Sequence, residues 1–337
     1  MLRAGIIGFG SISKAHRNGY MNLEKLGKVK LVCAYDIEPE AFCKNVKNNL
    51  DDPENELCEQ INHYTDLDEM LKNEDIDFVD ICVPSYLHSK ITVELLDRGY
   101  HVLCEKPMAL CYDDCVKMIE AAKRAGKELM IGQCLRFYPG FDKIKEYIAD
   151  ERYGKVLGAY FSRLSAPPTW GWDNWFADPE RSGGAVTDLH IHDIDIIRYL
   201  FGEPESVSSR ASSSFCAYDT IHTSLFYGGT PITAIADWTR VGMPFDATSY
   251  VNFEKATVKF DGANLTVYPK DSGEAEVVPL ENLCGYQGEI SYFCDVVAGK
   301  IKNTKNPAKS AATSIRLVEH IKQSADENGR IVRFPAV

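Results

Sequence analysis

No run of lysines and arginines occurs anywhere in the 337 residues, and acids outnumber bases 49 to 37, a formal net charge of −12. Binding to nucleic acid or to an anionic membrane needs clustered bases to neutralise phosphate, so neither is expected as a function. No apolar stretch approaches the roughly 18 residues of a membrane span. No CxxC pair occurs among the 11 cysteines (Cys33, Cys43, Cys58, Cys82, Cys104, Cys111, Cys115, Cys134, Cys216, Cys284 and Cys294), which removes zinc-ribbon and thioredoxin-like readings. Their odd number and scatter predict reduced thiols and a cytoplasmic location, with Cys33, Cys82 and Cys104 serving as small hydrophobes inside apolar runs. With no H-E-x-x-H motif and no cysteine cluster, no metal is expected. Internal repeats and low-complexity tracts are also lacking. The opening MLRAGIIGFGS runs directly into a strand and a glycine turn, so no signal peptide is expected.

The chain is otherwise that of a folded protein, 45% hydrophobic and 26% charged, too apolar for disorder. Its length predicts two domains. Up to about residue 133, apolar runs (Ala4–Ile7, Lys30–Tyr35, Phe78–Val83, His101–Cys104 and Glu128–Gly132) alternate with helical patterns such as Ser89–Arg98 and Asp113–Ala125. Asp113 or Asp114 is expected to cap the latter helix and Gly126 to stop it. This alternation predicts βαβ units around a parallel sheet covered on both faces. Beyond Gln133 come a helix at Phe141–Ile148, a strand at Lys155–Ser162 and a Pro/Trp/Gly-rich loop. One further helix, many alternating strands between Ser206 and Val278, a long helix at Ala308–Asp326 and a strand at Ile331–Phe334 follow. The expected division is therefore 1–133 and 134–337, the second part carrying a sheet with one exposed face.

Three motifs carry chemistry. The first strand ends in Gly8-Phe9-Gly10-Ser11-Ile12-Ser13, and a helix follows. Gly8 permits the turn, Gly10 lets a pyrophosphate approach, and Ser13 is small enough for the helix to pack on the strand. The helix N-terminus then offers N–H groups and a positive dipole end to phosphate. Asp36 ends the second strand, 26 residues beyond Gly10. It is placed to accept both adenosine ribose hydroxyls and to repel a 2′-phosphate, which favours NAD over NADP. Next, strand His101–Cys104 runs into Glu105-Lys106-Pro107, with Lys106 at the ligand edge of the sheet. Finally, Ser182-Gly183-Gly184 leads into AVTDLHIHDIDIIRYLFG, where Asp188, His192, Asp195 and Tyr199 fall on one face of an otherwise apolar helix. An aspartate one turn from a histidine suits proton transfer, and a buried structural pair is the alternative. His190 and Asp193 point to the opposite side and are expected to be structural, as a hydrogen-bonded pair or an interface contact. His16, in the first helix, is also expected to be structural.

GFGSIS, VPSYLH (Val83–His88), CEKP (Cys104–Pro107) and SGGAVTDLHIHDID, in this order and spacing, resemble the Gfo/Idh/MocA oxidoreductases, the glucose-fructose oxidoreductase and inositol dehydrogenase family. The C-terminal helix and the stretch from Ala325 to Val332 are also similar. The resemblance implies an N-terminal Rossmann doubly wound parallel sheet and a C-terminal α/β domain with an open, mostly antiparallel sheet. It matches Lys106, Asp188 and His192 to the family's catalytic trio. It implies NAD contacts from Gly8, Phe9, Gly10, Ser11, Ile12, Asp36, Pro84, His88, Glu105 and Lys106. It also implies a sugar, polyol or inositol-like substrate touched by Arg136, Trp172, Trp175 and His192, and a homodimer or homotetramer formed through the C-terminal sheet. Trp170 shares the loop of Trp172 and Trp175; stacking on a sugar ring and anchoring of the loop are both open. The sequence departs from the family at Ser13, where Gly or Ala is usual, and at His190, where Gly is usual. Two other activities stay open: an NAD-using glycosidase acting by transient oxidation and elimination, and a non-catalytic dinucleotide-sensing regulator.

Overall fold

The computed structural model describes residues 1–43, 61–281 and 284–335. Cys58 lies outside the described residues. Backbone contacts divide the chain into two units.

The first unit comprises Met1–Cys134, Thr169–Trp175 and Cys284–Ala312. Its six strands are β1 (Leu2–Ile7), β2 (Val29–Tyr35), β3 (Asn62–Tyr64), β4 (Phe78–Ile81), β5 (His101–Glu105) and β6 (Leu129–Gly132). They pair in the order β3-β2-β1-β4-β5-β6, every pair parallel. Strand order therefore reverses between β1 and β4, the place where doubly wound sheets bind ligands. β4 and β6 are buried at every position, as expected of strands covered on both faces. The helices in chain order are α1 (Ser11–Lys25), α2 (Leu67–Asn73), α3 (His88–Asp97) and α4 (Tyr112–Ala125). α4 stops at Gly126, at φ 64°, but its N-cap is Cys111, without a side-chain cap. Asp113 and Asp114 sit instead inside the first turn, where carboxylates favour the helix dipole.

The second unit comprises Leu135–Pro168, Phe176–Leu283 and Thr313–Val337. Its helices are α5 (Pro139–Ala149), α6 (Pro179–Ser182), α7 (Ala185–Asp188) and α8 (Ile191–Phe201). The nine strands are β7 (Val156–Leu164), β8 (Ser206–Ser212), β9 (Thr220–Tyr227), β10 (Thr230–Asp237), β11 (Asp246–Phe253), β12 (Ala256–Phe260), β13 (Leu265–Pro269), β14 (Glu276–Val278) and β15 (Val332–Arg333). β7 and β10 pair in parallel, and every other neighbour is antiparallel. Alternating burial, as along Ala256–Phe260, gives the sheet one covered face and one wetter face.

Two further helices close the list, α9 (Gly285–Val297) and α10 (Ala308–Asp326). α9 belongs to the first unit, although it lies far beyond residue 133. The ten described cysteines are free thiols. No helix among the described residues is long and apolar enough to cross a membrane.

Candidate functional site

In the first unit the site is built at the reversal point. Gly8 sits at φ +92°, and a Cβ there would stand 2.8 Å from the carbonyl carbon and oxygen of Cys82. Only glycine satisfies both the turn and the close approach of the chain after β4. At Gly10 a Cβ would meet nothing within 4 Å, so the space above the turn is open. Gly10 is also the N-cap of α1 and provides no side-chain cap at the start of this 15-residue helix, the end whose dipole favours an anion. The Ser13 hydroxyl turns inward and donates to the Gly10 carbonyl at 2.7 Å. Phe9 faces the interior, 2% exposed, with the Arg17 guanidinium 4.0 Å from its ring centroid. Only its backbone is left for a ligand. Asp36 braces this loop: one carboxylate oxygen accepts from Phe9 N at 2.7 Å, the other from Glu38 N at 2.9 Å. Each oxygen keeps a lone pair for a hydroxyl.

Two expected cofactor contacts have other work. The His88 ring is 1% exposed and lies 2.7 Å from the Pro107 carbonyl and 2.9 Å from that of Val83. It ties the chain after β4 to the turn after β5, and burial lowers its pKa from the ordinary value. Glu105 is 3% exposed and turned inward, accepting Lys106 N at 3.0 Å. Lys106 itself is half-buried, just beyond the end of β5, and precedes a cis peptide bond to Pro107. Ser11 and Ile12 open α1 and are half-buried, as is Pro84, which precedes the turn Ser85–Leu87.

In the second unit the expected single helix is two helices. His190 N reaches back five residues to the Ala185 carbonyl at 2.9 Å, a wide π-type turn between α7 and α8. Such turns recur at functional sites. Between Ala185 and Leu200 only Asp188, His192 and Tyr199 escape full burial, so the polar stripe is the open face. Gly184, at φ +75°, fits against the Ala217 carbonyl, which also accepts from Ala185 N at 3.1 Å and fixes the start of α7.

The rest of the stripe is structural. Asp195, 1% exposed, receives two hydrogen bonds from the Arg136 guanidinium, both 2.7 Å, and a third from the Ser314 hydroxyl at 2.7 Å. Arg136, expected to touch substrate, is 2% exposed and forms one half of a buried ion pair. Its charge is committed to Asp195 and its guanidinium stands 5.3 Å from the Tyr199 ring centroid. His190 and Asp193 are buried as expected but do not pair with each other. His190 lies 2.9 Å from the Thr223 hydroxyl, and burial, with Arg163 and His222, pulls its pKa down to about 3. Asp193 takes a two-point ion pair from Arg163, 3.1 Å on both arms, and its pKa is raised by burial against that pairing. Arg163 also lines a cavity of about 230 Å³ with Phe245 and Phe260, which includes neither Asp188 nor His192. Of the loop tryptophans, which belong to the first unit, Trp172 is 46% exposed and Trp175 half-buried. Trp172 begins a turn in which Asp173 and Asn174 are left-handed.

Comparison with known proteins identifies the family and the fold. Residues 2–133 match the profile described as oxidoreductase family, NAD-binding Rossmann fold. Residues 141–259 match that of the GFO/IDH/MocA C-terminal domain. The 2,7-anhydro-N-acetylneuraminate hydratase of Escherichia coli is 31% identical over 215 residues, 62% of this chain and 52% of that protein. The myo-inositol 2-dehydrogenase of Thermotoga maritima is 31% identical over 204 residues, 60% of this chain and 55% of that protein. The chain thus spans about half the length of the curated relatives it matches. Among solved structures, a levoglucosan dehydrogenase in complex with NADH superposes with a TM-score of 0.83 at 21% identity, covering 100% of both chains. The WlbA dehydrogenase of Bordetella pertussis, in complex with NADH and UDP-GlcNAcA, gives 0.82 at 21% identity over 100% of this chain and 99% of that one. At these identities the structures establish a shared fold.

Proposed function

The chain belongs to the GFO/IDH/MocA oxidoreductase family, and from that premise we propose that it is an NAD-dependent enzyme transferring hydride at a hydroxyl-bearing carbon of a sugar, polyol or inositol-like substrate. The observation that carries this is the joint presence of an open phosphate turn at Gly8–Ser11, a lysine beyond β5 and an Asp188–His192 stripe that is the open face of an otherwise buried helix pair. A purely sensing protein would need only the first of these.

The first unit fits a dinucleotide. The open space at Gly10 and the uncapped start of α1 would hold the pyrophosphate, and Asp36 would take the adenosine ribose and disfavour NADP. When bound, NAD supplies the hydride acceptor. The chain's own residues handle the proton and the charge. His192 is the general base for the substrate hydroxyl, and Asp188 orients it. The Lys106 ammonium stabilises the developing alkoxide. Trp172 and Trp175 offer aromatic faces to the sugar ring. Self-association through the wetter face of the sheet belongs to the same reading. Tyr160, Tyr250 and Val277 fall in one cross-strand row there, with Tyr160 and Val277 exposed.

A second reading is a redox-neutral reaction, in which oxidation is reversed within one turnover. It is favoured by the matched relative named a hydratase, since adding water to an anhydro sugar leaves its oxidation state unchanged. One screen tests both: NAD with a panel of inositols, aldoses, ketoses and anhydro sugars, followed by NADH absorbance and product chromatography. Substrate-dependent NADH supports the dehydrogenase. Product without net NADH supports the second reading, and neither on any member of the panel contradicts both.

A further inference from the structure

Beneath the Glu105-Lys106 turn lies a cluster of ionisable side chains that the proposed chemistry does not use. His16, on α1, is fully buried. Its Nδ1 is 2.8 Å from Asp80 Oδ2 and its Nε2 is 2.8 Å from Glu105 Oε1. Both are hydrogen-bond lengths. A ring flanked by two carboxylates makes both bonds as a donor only when both nitrogens carry hydrogen, that is, as imidazolium. The other groups facing it come from three elements. Tyr20 of α1 donates to Asp80 Oδ2 at 2.9 Å. The Cys82 thiol, after β4, is 3.7 Å from Asp80 Oδ1. From α9 come the Tyr286 ring, its centroid 5.5 Å from that of His16, and Glu289, whose Oε1 is 3.9 Å from Nε2.

Glu289 is fully buried, and neither carboxyl oxygen has a hydrogen-bond partner. Burial raises its pKa well above the carboxylate range against the pull of His16. Burial alone would lower the pKa of His16, but Asp80, with Cys82 adding, raises it well above the ordinary value. Space is kept for the pair, since a Cβ on Gly132 would stand 2.9 Å from Glu105 Oε1. The second oxygen of Glu105 holds the Lys106 backbone N–H at 3.0 Å.

We propose that His16 is a positioning residue: as an imidazolium locked between Asp80 and Glu105, it ties the helix that opens at the phosphate turn to the end of β5 and so fixes the backbone that carries Lys106. This rests on the reading of Lys106 given above. The helix that would hold the cofactor's phosphates and the strand that presents the lysine are then held in one register by a charge buried away from solvent and salt.

The test has two arms. In ¹⁵N-histidine-labelled protein at about pH 8.5, where ordinary histidines are neutral, the wild type should retain a pair of ring N–H signals that is missing from the His16→Gln variant, which assigns it to His16 and not to His88, whose ring also lies between two carbonyls. If there is no such pair, the proposal is overturned, whatever reaction the protein catalyses. In Glu105→Gln, kcat should fall roughly 10- to 100-fold, the scale of a small misplacement, while the dissociation constant for NAD stays within about twofold of wild type. Unchanged kcat, or a parallel loss of NAD binding and turnover, overturns the positioning role. Absence of dehydrogenase turnover in the wild type would count against the function reading alone, and the imidazolium signal would still judge the cluster.

Discussion

Two glycines two residues apart illustrate how differently one residue type serves the fold and the ligand. Gly8 is demanded by the protein: its φ is +92° and the Cys82 backbone fills the place of a Cβ. Gly10, at φ −75° with open space above it, is not. Gly8→Ala should therefore cost stability, about 1–3 kcal/mol from the backbone conformation alone, with steric overlap adding to it. Gly10→Ala should stay within about 0.5 kcal/mol of wild type yet weaken NAD binding by about tenfold or more. Denaturant unfolding and cofactor titration of the two variants separate these effects. The motif was legible because its residues are consecutive and each has one physical task. His88 and Glu105 were not, because a residue's type does not say that its partners are the Pro107 carbonyl or a histidine 89 positions away.

Among the elements, those with strong local patterns follow the sequence closely. Five of the six strands of the parallel sheet read as apolar runs, and the long helix was expected and found at Ala308–Asp326. The short polar edge strand β3 carries no such run. Two further features escaped. α9 begins with glycine, carries a second glycine one turn later and has no side-chain cap, so no local signal marks it. The break between α7 and α8 leaves the hydrophobic pattern intact, because a wide turn keeps Asp188 and His192 on the open face. Arg136 is the instructive case. Its motif resembled a ligand position, but its partner is Asp195, 59 residues on. Arg136→Met would leave that carboxylate buried without its two-point partner, a loss of about 3–5 kcal/mol. A denaturant midpoint should drop accordingly, with KM for the sugar little changed. A raised KM at unchanged stability would return Arg136 to the substrate wall.

At the scale of the whole molecule, acidity and dinucleotide binding are compatible if, as proposed, backbone N–H groups at Gly10 and the start of α1 meet the phosphate charge. The proposal assigns proton handling to Asp188 and His192, which belong to the second unit. The central proposal is that Lys106 and His192 act as a unit in one reaction. Single and double variants, Lys106→Met, His192→Asn and the two combined, measure this directly through kcat at saturating NAD. Each single change should cut turnover by roughly 10²–10⁴-fold, with NAD affinity within about twofold of wild type. Groups that act as a unit are non-additive, so the double variant should be no slower than the worse single. If the two losses multiply, the residues act independently and not as a unit, and if either single variant keeps its turnover, that residue does not serve the reaction; either result contradicts the account.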